Sequence, residues 1–240
     1  MIEYRHLTEI SEHQHLLKIQ EEVWGFAEIE MIPARLFLVA VKVGGQVIGA
    51  YDGDSLVGFC FSIPGIKRDA REIYLHSHML GVLPEYRNRG IGRALKLEQR
   101  ADALSRGIRL IEWTFDPLEL KNAFLNIERL GVIVRRYILN NYGVTTSKLH
   151  GGLPTDRCVA EWRLDDPRTM AILERQPRQK EVVWKRIEIP NTIARIRSDQ
   201  PAQARRIQQD VGEKFQQYFR DGLVVTGFER SDEHGAYLLS

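Results

Sequence analysis

The residue types best suited to chemistry lie between Ile73 and Arg93, where two histidines precede a basic, glycine-rich segment. His76 and His78 alternate along an apolar run that predicts a strand, so we expect their side chains, with that of Leu80, on one face. An imidazole titrates near neutral pH and can accept a proton from an ammonium group before its nitrogen attacks. The pair predicts a proton acceptor, and the alternative is two hydrogen-bonded strand histidines without a catalytic role.

A basic loop follows this strand and leads directly into a helix. Its glycines let the backbone approach a ligand closely, and the first N–H groups of the helix offer donors to an anion. Three arginines add charge-assisted hydrogen bonds. The loop therefore predicts a pyrophosphate site, made of Arg87, Asn88, Arg89, Gly90, Ile91, Gly92 and Arg93.

The spacing of the loop excludes two other phosphate-binding motifs. A dinucleotide fingerprint requires glycine or alanine where this chain has Leu95, and a P-loop requires a Gly-Lys-Ser/Thr sequence that is absent. What remains is R-x-x-G-x-G after a strand that ends in Val-x-Pro. A basic surface turn could produce the same pattern.

The elements that must position these residues alternate between strands and helices. Before the loop we predict a strand at 2–7, a helix capped by Ser11 and Gln14 that ends at Gly25, and a helix within 33–43. A hairpin of strands 47–51 and 56–63 follows, with its turn at Asp52, Gly53 and Asp54 and its end at Pro64 and Gly65.

After the loop we predict a helix that stops at Gly107, a strand at 110–115, a helix from Asp116 to Gly131, and strands at 132–139 and 157–164. The strand–helix–strand order around the loop implies parallel pairing there, whereas the hairpin makes the early sheet antiparallel. The predicted fold class is α/β (α+β), a mixed, mostly antiparallel central sheet flanked by helices.

The composition changes after Asp165. Residues 166–181 are polar and contain two prolines, so we predict a connection there. A strand at 182–189, an amphipathic helix capped by Ser198 or Asp199, and strands at 223–228 and 236–239 follow. We expect a catalytic domain at 1–165 and a C-terminal strand–helix–strand extension at 166–240, which could form a homodimer interface or cover an acceptor site.

The bulk composition limits the function classes. The chain has 240 residues, 43% hydrophobic and 28% charged, which is typical of a soluble globular protein. A net charge of +2 gives no support for nucleic-acid binding through bulk charge, and no apolar run has the length of a signal peptide or a membrane span. Cys60 and Cys158 lie in apolar runs that favour buried thiols. We expect a cytoplasmic protein without nucleic-acid or membrane partners.

The passage MLGVLPEYRNRGIGRAL, from Met79 to Leu95, resembles motif A of the GNAT superfamily of acyl-CoA N-acyltransferases. The order of elements up to Leu164 also resembles that family's mixed sheet. The resemblance implies that backbone groups of Leu80, Gly81 and Val82 bind the pantetheine arm of an acyl-CoA. It also implies that Arg87 opens the loop and that the amides from Asn88 to Arg93 take the pyrophosphate.

The resemblance extends to the histidines but not to every expected side chain. His76 lies where histone acetyltransferases of the superfamily carry a glutamate base, and the His-x-His pair is similar to that of serotonin N-acetyltransferases. Ile127 replaces a tyrosine that often protonates the leaving thiolate, so the general acid would be Tyr137, Tyr142 or solvent. Leu120 replaces a common asparagine of the cofactor site, a role left to Asn122 or to Asn126.

The function expected from these observations is transfer of an acetyl or other small acyl group from coenzyme A to the amine of a small molecule or amino acid by direct attack. Succinyl-CoA stays open as the donor because Arg157 and Lys148 could meet a free carboxylate. A non-catalytic acyl-CoA-binding sensor is the alternative. Glu112 and Asp116 are further polar candidates, although structural roles fit them better. We expect no metal, because the two histidines lack a third ligand that the sequence places beside them.

Overall fold

A computed structural model describes residues 1–143, 152–177 and 181–240. The chain divides into two compact units, one formed by residues 1–113 and the other by the described residues from 114 onward. Lys148, considered above for a carboxylate contact, lies outside the described residues. The division of function between residues 1–165 and 166–240 stays a prediction.

The first unit contains the strands β1 (Ile2–His6), β2 (Gln46–Asp52), β3 (Ser55–Ile66), β4 (Ile73–Val82) and the beginning of β5 (Leu110–Phe115). Its helices are α1 (Ile10–Trp24), α2 (Ala34–Lys42) and α3 (Ile91–Ser105). The strand order is β1-β2-β3-β4-β5. Pairing is antiparallel from β1 to β4 and parallel between β4 and β5, as the sequence predicts.

Two details of this unit differ from the prediction. The capping box of α1 is formed by Glu9 and Glu12, not by Ser11 and Gln14, because the Glu12 carboxylate accepts the backbone N–H of Glu9 at 3.0 Å. The strand β3 also continues through Pro64 and Gly65 to Ile66. Gly65 pairs with Tyr74, and an added Cβ there would lie 2.6 Å from the tyrosine ring, so the glycine serves close approach and not a turn.

Side chains of the first unit form a core on each face of its sheet. On one face, Leu16 of α1 and Phe37 of α2 pack with Phe59 and Phe61 of β3. On the other face, Ile91 and Leu95 of α3 pack with residues that include Cys60, the neighbour of both phenylalanines. Alternation along β3 therefore distinguishes an α1/α2 face from an α3 face.

The second unit contains the rest of β5, then β6 (Ile133–Ile138), β7 (Arg157–Arg163), β8 (Lys185–Pro190), β9 (Val225–Arg230) and β10 (His234–Leu239). Its helices are α4 (Leu120–Phe124), continued by a π-helical turn at Leu125–Arg129, α5 (Pro167–Leu173), α6 (Ile193–Asp199) and α7 (Pro201–Arg220). The strand order β7-β6-β9-β10-β8 is antiparallel where these strands pair with one another.

Three predictions for the second unit are wrong in detail. The stretch expected to be a plain connection contains α5, which Asp166 caps through its side chain. The expected cap residues Ser198 and Asp199 lie within α6, and α7 follows after Gln200. Asp116 does not begin a helix directly. Its carboxylate accepts the N–H of Leu118 at 2.8 Å in a turn, and α4 begins only at Leu120.

The fold class is confirmed: strands that pair mostly antiparallel are combined with helices in a mixed α/β arrangement. Cys60 and Cys158 are buried free thiols, and burial raises the pKa of Cys60 to about 12. Across the described ranges, no helix has both the length and the apolar character needed to cross a membrane.

Candidate active site

The strands β4 and β5 pair at only two positions among the described residues. Leu75 pairs with Ile111 and His76 pairs with Glu112, and β4 then continues to Val82 without a further β5 partner. The strands therefore separate immediately after His76. A separation of this kind exposes backbone N–H and C=O groups that a ligand can use in place of a strand.

A β-bulge at His78 changes the direction of the side chains along β4. The register with β3 passes from Ser62↔Ser77 to Phe61↔Met79, so His78 is the extra residue. Met79 packs in the core on the α1/α2 face, whereas Leu80 packs on the α3 face with Ile91. The prediction that Leu80 shares a face with the histidines is therefore wrong.

The two histidines do lie together. Their ring centroids are 5.9 Å apart, and the His78 ring also contacts Phe61 edge-on, with 6.1 Å between centroids. His76 is partly buried and His78 is exposed. The two rings are in contact, and His78 is accessible to solvent. A route for a proton from His76 to water requires this geometry.

The surroundings of His76 favour the neutral ring. Burial, followed by the influence of His78, lowers the pKa of His76 to about 4, and the Glu112 carboxylate opposes this shift. Neighbouring side chains shield part of the His78 ring from water, which also lowers the pKa of His78. Both rings are therefore uncharged at neutral pH, each with one nitrogen able to accept a proton.

The backbone of β4 beyond the bulge presents polar groups away from β3. The N–H of Leu83 donates to Val57 O on β3, and successive residues of a strand point their polar groups to opposite edges. Leu80 and Val82 consequently direct theirs to the edge that β5 leaves open. Arg87 lies at this edge, because its Nε donates to Val82 O at 3.1 Å.

Gly81 lies between these two residues and faces α1. A Cβ at this position would lie 2.8 Å from the Trp24 ring, so only glycine permits the observed approach of α1 to the strand. The three residues assigned to the pantetheine arm thus lie on one continuous strand, but with different surroundings.

The loop after β4 has the backbone conformation of an anion cradle. Asn88 has a φ of 62° and Gly90 a φ of 82°, both in the left-handed region, and α3 begins at the next residue, Ile91. Alternation of right- and left-handed residues turns successive N–H groups toward one point. Arg87, Asn88, Arg89 and Gly90 are all exposed. The predicted site residues from Leu80 to Arg93 therefore form one connected strand, loop and helix start.

Two side chains without a predicted role at the site, those of Tyr86 and Asp52, support the loop. The Tyr86 hydroxyl donates to the Asp52 carboxylate at 3.2 Å, which ties the loop to the end of β2. The Arg89 guanidinium lies over the Tyr86 ring, 4.9 Å from its centroid. The tyrosine of the motif thereby orients one of the three arginines.

Glu112 and Lys67 add a charged pair beside His76. Glu112 is buried, and its carboxylate accepts a short hydrogen bond from the Lys67 ammonium. That ammonium also lies over the Tyr74 ring, 4.8 Å from its centroid. Lys67 follows the last residue of β3, a position with no sequence signal for a role at the site.

The remaining predicted residues belong to the second unit. Asn122 is exposed on α4, whereas Asn126 is buried in the π-helical turn and its Nδ2 has no hydrogen-bond partner among the described residues. Ile127, which replaces the expected tyrosine, is fully buried. These positions do not decide which asparagine serves a cofactor, and Asn122 stays a prediction.

The two tyrosines considered as general acids have different surroundings. The Tyr137 hydroxyl donates to the Asp156 carboxylate at 2.9 Å, and burial raises its pKa. The Tyr142 hydroxyl is 2.7 Å from the Thr114 hydroxyl, and the ring is largely exposed. Arg157, considered for a carboxylate contact, is buried and lies over the Tyr142 ring.

Asp116 has a structural partner in the second unit. Arg197 of α6 bonds its carboxylate at 3.1 Å and that of Glu119 at 2.9 Å. This ion pair links the end of β5 to α6. In the parts of the chain that the structure describes, no group of three or more His, Cys, Asp or Glu side chains could hold a metal ion.

One model of a known protein family matches part of this chain. Residues 43–126 match the model of the acetyltransferase (GNAT) domain, a range that includes β4, the loop and α3. A search of curated proteins finds no match to the chain.

Solved structures share the fold. A GNAT-family acetyltransferase from Desulfovibrio desulfuricans is 18% identical, with a TM-score of 0.52, and the match covers 68% of this chain and 99% of that one. Arabidopsis thaliana NAA60, in complex with acetyl-CoA, is 16% identical with a TM-score of 0.57 over 69% of this chain and 100% of its own. The ribosomal-protein-S18-alanine N-acetyltransferase of Escherichia coli is 14% identical with a TM-score of 0.52, covering 77% and 100%.

Proposed function

Since residues 43–126 match the model of the acetyltransferase (GNAT) domain, we propose that this protein transfers an acyl group from a coenzyme A thioester to the amine of a small molecule or amino acid. The observation that carries the proposal is the connected path from the separation of β4 and β5 at His76 to the left-handed loop at Asn88 and Gly90. It offers an open strand edge, a proton acceptor and an anion cradle in the order that an acyl-CoA would need them.

The cofactor would lie along β4 and the loop. The N–H groups from Asn88 to Arg93, with the exposed guanidinium groups of the loop, suit a pyrophosphate. The open edge at Leu80 and Val82 suits the amide groups of a pantetheine arm, which would hydrogen-bond to it as a neighbouring strand does. An added Cβ at Gly92 would lie 3.4 Å from Leu80, so the loop also packs closely on the strand.

The reaction would proceed by direct attack in a complex of both substrates. The amine nitrogen forms a bond to the acyl carbon, the C–S bond breaks, and the electron pair leaves with the coenzyme A sulfur as thiolate. A backbone N–H directed to the open edge near Leu80 would stabilise the oxyanion that develops on the acyl carbonyl. Holding both substrates in one cleft supplies the remaining advantage through proximity.

His76 would receive the proton that the attacking ammonium must lose. Its low pKa, about 4, keeps the ring neutral and ready to accept, although it makes His76 a weak base in the absence of substrate. His78 touches the first ring and is exposed, so it can pass the proton on to water. Solvent would return a proton to the leaving thiolate.

The donor proposed is acetyl-CoA, since Arabidopsis thaliana NAA60, which shares the fold, was solved with that molecule bound. For the acceptor, a free small amine is our first proposal, and a protein N-terminus is the second, favoured by the likeness to an enzyme named for acetylating an alanine of a ribosomal protein.

Steady-state release of free thiol from acetyl-CoA, and in parallel from succinyl-CoA, tests the proposal against a panel of polyamines, arylalkylamines, amino acids and short peptides. We expect thiol release that depends on one class of amine. Tight binding of acetyl-CoA without turnover on any acceptor would favour the non-catalytic sensor. Absence of binding would remove both functions.

A further inference from the structure

A buried lysine lies at the point where β4 and β5 separate. The Lys96 ammonium donates to the Ser77 hydroxyl at 2.7 Å and lies 3.7 Å from the centroid of the Trp113 ring. Ser77 follows His76 on β4, and Trp113 follows Glu112 on β5. Lys96 therefore contacts the first residue of each strand beyond their last pair, from the α3 face.

Further buried polar groups hold this contact in place. The Ser77 hydroxyl donates to the side-chain oxygen of Gln99 at 3.0 Å, one turn along α3 from Lys96. Gln46 of β2 donates to the backbone oxygen of Gln99 at 3.0 Å and accepts the Ser62 hydroxyl at 2.8 Å. The Gln99 Nε2 atom has no hydrogen-bond partner among the described residues, but the hydrogen bonds to its two oxygens hold Ser77 and Gln46 in position beside Lys96.

Stability alone does not account for a lysine at this position. Lys96 is 3% exposed, and its partners are a hydroxyl and an aromatic ring, not a carboxylate. Burial lowers its pKa to about 7, which reports the cost of keeping the charge away from water. An apolar side chain of similar length would avoid that cost.

We propose that Lys96 is a positioning residue for the acyl-CoA cleft. Its ammonium links Ser77 to Trp113 and thereby fixes the angle at which β4 and β5 separate. Lys96 is six residues beyond Gly90, so one helix presents its first N–H groups to the pyrophosphate and a cation to the start of the open strand edge. The use of this edge for the pantetheine arm rests on the proposed function.

The same cation acts on His76. The charged and titratable groups around that ring are His78 on β4, Glu112 on β5, Lys96 on α3 and Lys67 after β3. The two lysines and His78 disfavour a protonated ring, and Glu112 favours it. Lys96 thereby helps to keep His76 neutral, an effect that can be observed without any substrate.

Lys96→Met tests the proposal, with Lys42→Met on the exposed part of α2 as the matched control. Three quantities are compared with the wild type at pH 6.5: the midpoint of thermal unfolding, the Kd of coenzyme A by calorimetry, and the pKa of His76 from an NMR titration of its ring. We expect Lys96→Met to unfold at the same or a higher temperature, to bind coenzyme A roughly tenfold more weakly, and to show a raised pKa of His76. The control should change none of them.

Ser77→Ala is the second variant, since it removes the hydroxyl acceptor with little change in volume. Like Lys96→Met, it should weaken the binding of coenzyme A. Its unfolding midpoint should fall less than that of a variant with a cavity in the core. Unchanged coenzyme A affinity and an unchanged pKa of His76 in Lys96→Met would overturn the proposal. So would a loss of affinity that only accompanies a large loss of stability in both variants. If the wild type itself binds no coenzyme A, the proposed function fails, while the His76 titration still tests the action of Lys96.

Discussion

His76 and Glu112 face each other across the last paired position of two parallel strands. In a parallel pair, directly opposed residues point their side chains to the same face, so the buried carboxylate and the imidazole are neighbours. Lys67 bonds the same carboxylate. The imidazole, an anion and a cation thus meet where the sheet opens. Burial is the main cause of the lowered pKa of His76, and the two charges then act on it in opposite directions.

Glu112→Gln should lower the pKa of His76 below its wild-type value of about 4, because the carboxylate is the group that opposes the shift caused by burial. NMR titration of the ring measures this directly, with the exposed Glu21→Gln on α1 as control. A pKa that rises or stays fixed in Glu112→Gln would show that the carboxylate does not act on His76.

His76→Ala should lower kcat/KM by roughly 10²-fold or more at neutral pH, the usual contribution of a positioned base. The loss should shrink as the pH approaches the pKa of the free amine, because the substrate then arrives unprotonated. His78→Ala should give a smaller loss of the same pH dependence, and exposed His15→Ala is the control. If the ratio of kcat/KM between each variant and the wild type were constant over the whole pH range, both rings would be excluded from proton transfer.

The low pKa of His76 also affects stability. The unfolded chain takes up the proton near pH 6.5 and the folded chain only near pH 4, so the unfolded state binds more protons between these values. The contribution of His76 to stability therefore falls as the pH decreases through this window. His76→Gln should flatten this part of the curve of unfolding free energy against pH.

Arg87→Ala should weaken binding of coenzyme A by roughly 10-fold or more, the effect of losing a charge-assisted hydrogen bond. It should leave binding of pantetheine, which has no pyrophosphate, nearly unchanged. Arg35→Ala, exposed on α2, serves as the control for a general change of charge. Equal losses for coenzyme A and pantetheine would place the pyrophosphate elsewhere.

The second unit allows a matched test of backbone strain. Gly131 and Gly143 have φ values of 82° and 68°. An added Cβ would lie 2.9 Å from Thr169 Cα at Gly131, whereas at Gly143 it would have no atom of the described residues within 4 Å. Gly143→Ala should cost about 1 kcal/mol of unfolding free energy for the left-handed backbone alone. Gly131→Ala should cost at least ~1 kcal/mol more because of the overlap. Equal costs in urea unfolding would contradict this account.

The sequence predicts the elements that carry local signals. Glycines mark the start and the end of α3, and apolar runs locate β3 and β4. The parallel pairing of β4 with β5 follows from the strand–helix–strand order. These features depend on residues close in sequence, which is why they can be read from the chain alone.

The bulge at His78 and the role of Lys96 could not be predicted in this way. The bulge arises from the way in which β3 pairs with β4. It leaves the alternating pattern of residue types along β4 almost unchanged, so the sequence of β4 carries no sign of it. Lys96 appears in the sequence as one more charge on a helix, and only the fold places it between Ser77 and Trp113. Both features arise from contacts distant in sequence.

The division into α6 and α7 was missed for a different reason. Gln200 precedes Pro201, and its φ of −139° lies outside the helical region, as expected for a residue before proline. From the sequence, the polar residues before that proline are expected to cap α7. In the structure they form the last turn of α6 instead.

We propose that the chain moves an acyl group from coenzyme A to an amine in the cleft that begins at His76. The most direct test supplies acetyl-CoA with a deuterated acetyl group and follows both free thiol and labelled acceptor by mass spectrometry. We predict one labelled amide formed for each thiol released, with both rates reduced together in His76→Ala. Thiol release without labelled acceptor, or label transfer unaffected by His76→Ala, would contradict the account.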